Sequence, residues 1–222
     1  MNLMSFDRSQ IAAQGTLTRA SFLAAPVLIL AYGVVRLAGG PGGRDGPGLA
    51  WTAGHALFLA GLLQFFVVLV GLRRQVGTTV GGPRLTANAA IVVAGAGLIA
   101  FVRVAVIDLV VGLRAADHAA MSRLFGQLDD FPGVLPGGLY AVGPLLFEVG
   151  LLALLVQLAV LRPRRLPVSS PVLFLLGVVL IGINLDLLPL SAALFWLSLA
   201  PAALAKRPAL LHQPVGAEGL EG

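Results

Sequence analysis

The sequence predicts an all-α, polytopic membrane helix bundle with six transmembrane helices and both termini in the cytoplasm. Three observations carry that prediction. Of 222 residues, 58% are hydrophobic and only 11% are charged, whereas a soluble chain has about 45–50% apolar and 25% charged residues. The mean hydropathy of +0.94 is an apolar surplus that a single core cannot hide and that a bilayer can. The 15 Lys and Arg residues are scattered in ones to threes between apolar runs, an arrangement that orients membrane proteins and does not build a nucleic-acid surface. Nucleic-acid modules, disordered tails and ordinary soluble enzymes are thereby excluded. With no Cys in the chain, disulfides, thiolate nucleophiles and Cys-ligated metals are excluded as well.

A membrane-spanning helix needs about 20 mostly apolar residues. The first expected span covers 22–37, between Arg19 and Arg36. The stretch before it is long and polar and no clean cleavage site follows, so it reads as a retained helix and not as a signal peptide. Residues 41–47, rich in Gly and Pro, form a turn-rich loop. The second span covers 51–72, with Trp51 at one interface and the Arg73-Arg74 pair at the other. The third, 87–113, is long enough to tilt. In 114–138, Met121, Leu124, Phe125 and Leu128 recur at helical spacing, which predicts a short interfacial helix. The fourth span covers 139–161 and is closed by Arg162, Arg164 and Arg165.

The last apolar block, 171–205, would be about 52 Å long as one helix, well beyond a roughly 30 Å hydrocarbon core. Asn184, Asp186 and Pro189 lie at its middle. Turn chemistry there divides the block into spans at 168–185 and 188–205. Residues 1–207 thus form one six-span domain, followed by a short disordered cytoplasmic tail, 208–222.

Charge supports this count. With the N-terminus inside, the inner segments hold Arg8, Arg19, Arg73, Arg74, Arg84, Arg162, Arg164, Arg165, Lys206 and Arg207, and the outer loops only Arg44, Arg114 and Arg123. Five spans would put Lys206 and Arg207 outside, against the positive-inside bias.

Counting from each span's middle, Arg103 and Glu148 fall roughly 3–5 Å to the outer side of the midplane, and His55, Asp108 and Asn184 roughly 10 Å to that side. Asp186 falls at the outer rim. Gln64 and Gln157 lie toward the cytoplasm. A central Arg or Asp costs about 2.5–3.5 kcal/mol on the insertion scale, so the third span needs partners for both its charges. Arg103 and Asp108 are five residues apart, about 140° around a helix, and do not face each other. Arg103 is expected to meet Glu148, and Asp108 to meet His55. Arg36 is expected to snorkel to the outer interface. His55, Arg103, Asp108, Glu148, Asn184 and Asp186 then form a polar intramembrane pocket open to the outside, the ordinary reading of ionisable residues in lipid. The competing reading is that such pairs only fix helix register.

The chemistry available is narrow. There is no G-x-S-x-G elbow and no S-x-x-K. Ser191 and Ser198 lie on apolar helices, where a hydroxyl ordinarily bonds back to the i−4 carbonyl. H-E-x-x-H is absent, and His55, His118 and His212 cannot all converge. His55 with Asp108 and Glu148 could hold an oxygen-favouring divalent ion, but nothing in their spacing demands it, and a haem between His55 and His118 is disfavoured because His118 lies beyond the end of the third span, so no metal and no cofactor is expected. Gly81-Gly82-Pro83 lacks the Lys-Ser/Thr of a P-loop. Gly54, Gly61, Ala90, Ala94 and Gly95 are expected to permit close helix packing. The expected partners are the lipid bilayer, a small-molecule or ion ligand and a partner subunit, with no nucleic acid. The expected function is non-enzymatic: a multi-pass plasma-membrane protein that binds or helps move a small molecule or ion through the outward-facing pocket. The alternatives are an integral membrane enzyme using His55, Asp108 and Glu148 on a lipid-like substrate, and an accessory or permease subunit.

Overall fold

The computed structural model describes residues 3–77, 81–129 and 138–205. Its elements are α1 (Leu3–Ala38), α2 (Gly40–Arg44), α3 (Leu49–Val76), α4 (Gly82–Arg114), α5 (His118–Asp129), α6 (Gly138–Leu161), α7 (Ser169–Ile183), a 3-10 turn (Leu185–Leu187) and α8 (Leu188–Leu204). No strand occurs among the described residues. Five stretches are long and apolar enough to cross a membrane: Gly15–Ala38, Leu49–Val76, Gly82–Arg114, Val142–Leu161 and Leu185–Leu204. Lys206, Arg207 and the tail 208–222 lie outside the described residues.

Three elements differ from expectation. Helix α1 begins well before residue 22, because nothing between Leu3 and Ala20 breaks a helix: the stretch has no Pro and a single Gly, Gly15. The 41–47 loop contains one helical turn, α2, which Pro41 starts from its N-terminal position. The fifth expected span is a helix of only 15 residues, rising about 22 Å, which is short of a roughly 30 Å core.

The break between α7 and α8 follows from its residues. Asn184 is extended, at φ −158° and ψ 124°, and its side-chain oxygen accepts from the Asp186 backbone N–H at 2.8 Å. Pro189 then sits in the first turn of α8, where its missing N–H costs nothing. The short helix expected within 114–138 also forms, as α5. Asp117 accepts from the Ala120 backbone N–H at 2.7 Å, and Met121, only 2% exposed, packs beside Gly46 and Trp51.

The long helices pack antiparallel through small residues, which let backbones approach closely. A Cβ on Gly97 would strike the Phe147 backbone, and one on Gly150 would lie 2.5 Å from the Ala94 nitrogen, so α4 and α6 touch backbone to backbone. On α3, Gly61 makes room for the Ile29 side chain and the Ala25 carbonyl of α1, Gly71 makes room for the Thr18 and Phe22 side chains of α1, and Gly177 receives the Phe195 ring of α8. Gly54, Gly61, Ala90 and Ala94 sit at such contacts, as expected. Among the described residues nothing lies within 4 Å of a Cβ on Gly95, and Gly97 takes the packing role instead.

The bundle therefore has two ends. One carries the Asp186 turn, α2 and α5. The other carries Arg73, Arg74, Arg84, Arg162, Arg164 and Arg165. Toward the arginine end the core is solid: Phe22, Leu72, Leu154, Leu155 and Leu158 are all fully buried.

Candidate functional site

Toward the Asp186 end the helices part around a cavity of about 280 Å³. Helix periodicity puts its lining on single faces. Phe58, Leu62 and Phe65 line it from α3, Phe101, Val104 and Asp108 from α4, and Pro144, Phe147 and Glu148 from α6. Tyr32 of α1, Phe174 of α7 and Phe195 of α8 complete the aromatic wall. The rings brace one another. Phe58 meets Phe101 edge-on at 5.1 Å between centroids, Phe65 meets Phe147 at 5.2 Å, and Phe174 lies against Phe195 at 4.8 Å. Such ring pairs contribute about 0.5–1.5 kcal/mol beyond their area.

Asp108 and Glu148 are the charged residues of this lining. Among the described residues, Glu148 has no hydrogen-bond or ion-pair partner. Asp108 meets His55, whose Nε2 lies 3.6 Å from its Oδ2. The ring of His55, 4% exposed, is held from three sides. Its Nδ1 donates to the Trp51 carbonyl at 2.9 Å, the Trp51 indole stacks on it at 4.1 Å, and the Tyr32 ring meets it edge-on at 5.2 Å. The Trp51 Nε1–H in turn donates to the Asp108 carbonyl at 2.9 Å. Two glycines make room: a side chain on Gly112 would strike the Trp51 indole, and one on Gly54 would lie 3.2 Å from the Tyr32 ring.

A carbonyl only accepts, so the proton on Nδ1 is fixed by the Trp51 contact. A neutral ring would then turn the Nε2 lone pair toward Asp108. A proton between Nε2 and the carboxylate makes that approach favourable, and a bare lone pair against an ionised carboxylate does not.

The other sequence-expected site residues fall elsewhere. Arg103 does not pair with Glu148. It shares the outward face of α4 with Ile99 and Val106, which are 63% and 40% exposed, because the turns that place Phe101, Val104 and Asp108 inward rotate position 103 out. Asn184 caps the turn and Asp186 lies at the bundle's end; neither lines the cavity. Asp186 is engaged by two arginines, Arg36 at 2.6 Å and Arg44 at 3.4 Å. Arg36 therefore does not snorkel freely; its side chain is 15% exposed and ion-paired.

The remaining polar residues join helices. Ser21 donates to Gln64 at 2.6 Å, Gln157 donates to the Thr86 hydroxyl at 2.8 Å, and Ser191 bonds back to the Leu187 carbonyl. Ser198 departs from the i−4 pattern and donates across to the Ser170 carbonyl of α7 at 2.8 Å. Among the described residues, no three His, Asp or Glu side chains group to hold a metal ion.

No family model matches the chain, and no curated protein or solved structure matches it.

Proposed function

We propose that this is a multi-pass membrane protein that binds a small molecule in the cavity between its helices. The reading takes six spans, with α7 as a short one paired to α8, and both termini cytoplasmic; the excess of basic residues at the arginine end supports that orientation. The Asp186 end then faces outward. The observation that carries the binding function is the cavity itself, lined from α1, α3, α4, α6, α7 and α8. Ligand sites are commonly apolar concavities between bundle helices with a few convergent polar groups. The dense packing toward the arginine end favours a pocket open to one side over a continuous path.

The test uses purified protein in lipid nanodiscs and a neutral apolar probe, neopentylbenzene, followed by ligand-detected NMR. One saturable site is expected. Val104→Trp, which fills the cavity from α4, should abolish it. A probe that does not saturate, or that binds the Trp variant equally, would remove the reading. Reporters inserted near Gly43 and Gln127 should read extracytoplasmic and one after Arg207 cytoplasmic.

A further inference from the structure

We propose that the natural ligand of the cavity is an organic ammonium ion carrying apolar groups. This deepens the binding function above and rests on it.

The charged groups lining the cavity, Asp108 and Glu148, are both acidic. The nearest candidates for balancing charge are committed elsewhere: Arg36 is bound to Asp186 at 2.6 Å, and Arg103 points outward from α4. His55 lies against Asp108 and outside the lining. Glu148 has no ionic or hydrogen-bonding partner among the described residues, and a carboxylate held in an apolar bundle without one is costly. An anion would add to that cost. A neutral hydrocarbon would leave it unchanged. A cation removes it.

The walls then choose among cations. A metal ion takes several oxygen or nitrogen ligands in place of its water. The cavity offers two acidic side chains and aromatic rings, and among the described residues no three metal-ligating side chains group together. Phe58, Phe101 and Phe147 are among the rings that line the cavity, and an aromatic enclosure is the recognised partner of alkylated ammonium. Its apolar substituents fill the rest of the cavity, whose whole volume is about 280 Å³, against Leu62, Phe174 and Phe195.

The experiment compares two probes of the same shape, benzyltrimethylammonium and neopentylbenzene, on the full chain in nanodiscs. The ammonium is expected to bind about tenfold or more tightly than the hydrocarbon. Glu148→Gln is expected to bring the two affinities together, and Phe101→Leu, which keeps an apolar wall but removes a ring, to narrow the gap. The comparison on the unmodified protein stands even if a variant fails to assemble. Equal binding of the two probes, or a preference for the hydrocarbon, would overturn the cation assignment while the cavity stands as a binding site. Binding of neither would overturn both.

Discussion

Arg36 at the end of α1 donates to Asp186 in the turn between α7 and α8, at 2.6 Å and across 150 positions of sequence. The contact ties the first long helix to the last pair at the end of the bundle where the cavity lies. Arg44 adds a second, longer approach to the same carboxylate at 3.4 Å, with its side chain 41% exposed.

The two arginines should therefore be unequal. A double-mutant cycle of Arg36→Ala with Asp186→Ala, read from thermal unfolding in detergent, should give a coupling of about 1–2 kcal/mol. The cycle with Arg44→Ala should give about 0–1 kcal/mol, as for exposed pairs. Equal couplings would mean that Asp186 is held by general charge at this end and not by the α1 contact.

Two glycines two residues apart on α4 should behave oppositely. Gly97→Ala drives a methyl group into the Phe147 backbone and should cost about 1–3 kcal/mol, as overpacking does. Gly95→Ala meets nothing within 4 Å and should be neutral or stabilising by up to about 1 kcal/mol, from helix propensity. Unfolding of both variants under one detergent condition checks this. A destabilising Gly95→Ala would mean that the outward face of α4 is covered in the assembled protein.

The division of the last apolar block, the short helix within 114–138 and the His55–Asp108 approach were legible in the sequence for physical reasons. Chain length against membrane thickness forces a break, Asn184 and Pro189 place it, and residues on sequential helices at equal depth meet. The Arg103–Glu148 expectation used depth alone. Rotation about the helix axis decides the matter, and the exposed face shared by Ile99 and Val106 takes Arg103 outward. The Arg36–Asp186 contact joins elements too distant in sequence for depth counting to pair. The cavity left a signal that polar residues masked: Phe101, Val104 and Asp108 recur at i, i+3 and i+7, and Pro144, Phe147 and Glu148 at i, i+3 and i+4. Each is an aromatic-acidic stripe on one helix face, visible only when rings and carboxylates are counted together.

Arg103 should be replaceable by Leu with a gain in membrane insertion. The insertion scale charges about 2.5–3.5 kcal/mol for the arginine and returns about 0.3–0.6 for the leucine. Because Arg103 and Glu148 do not meet, Arg103→Leu and Glu148→Gln should have additive effects on stability, within about 0.5 kcal/mol. A coupling well above that would restore the pair. A loss of assembly in Arg103→Leu alone would show that the arginine meets an acidic partner outside this chain.

The close approach of His55 to Asp108 implies a proton shared between them, which can be tested directly. Trp51 fixes the Nδ1 proton by accepting it at 2.9 Å, which leaves Nε2 facing the Asp108 carboxylate at 3.6 Å. With no proton between them, lone pair and carboxylate repel; with one, either an imidazolium faces a carboxylate or a neutral ring faces a carboxylic acid. Both arrangements are attractive, and both have a spectroscopic signature at neutral pH: two protonated ring nitrogens in ¹⁵N NMR, or a protonated carboxyl stretch in the infrared. One of the two should be present in the unmodified protein. Asp108→Asn should abolish both, because the amide N–H₂ can donate to Nε2 without a shared proton, and His55 should then report a neutral ring protonated on Nδ1. Asp108→Leu removes the carboxylate without offering that donor, and it should loosen the Trp51–His55 stack more than Asp108→Asn does. If the unmodified protein instead shows a neutral Nδ1-protonated ring beside an ionised Asp108, the two groups do not share a proton. Their approach would then be a packing contact enforced by Trp51 and Gly112.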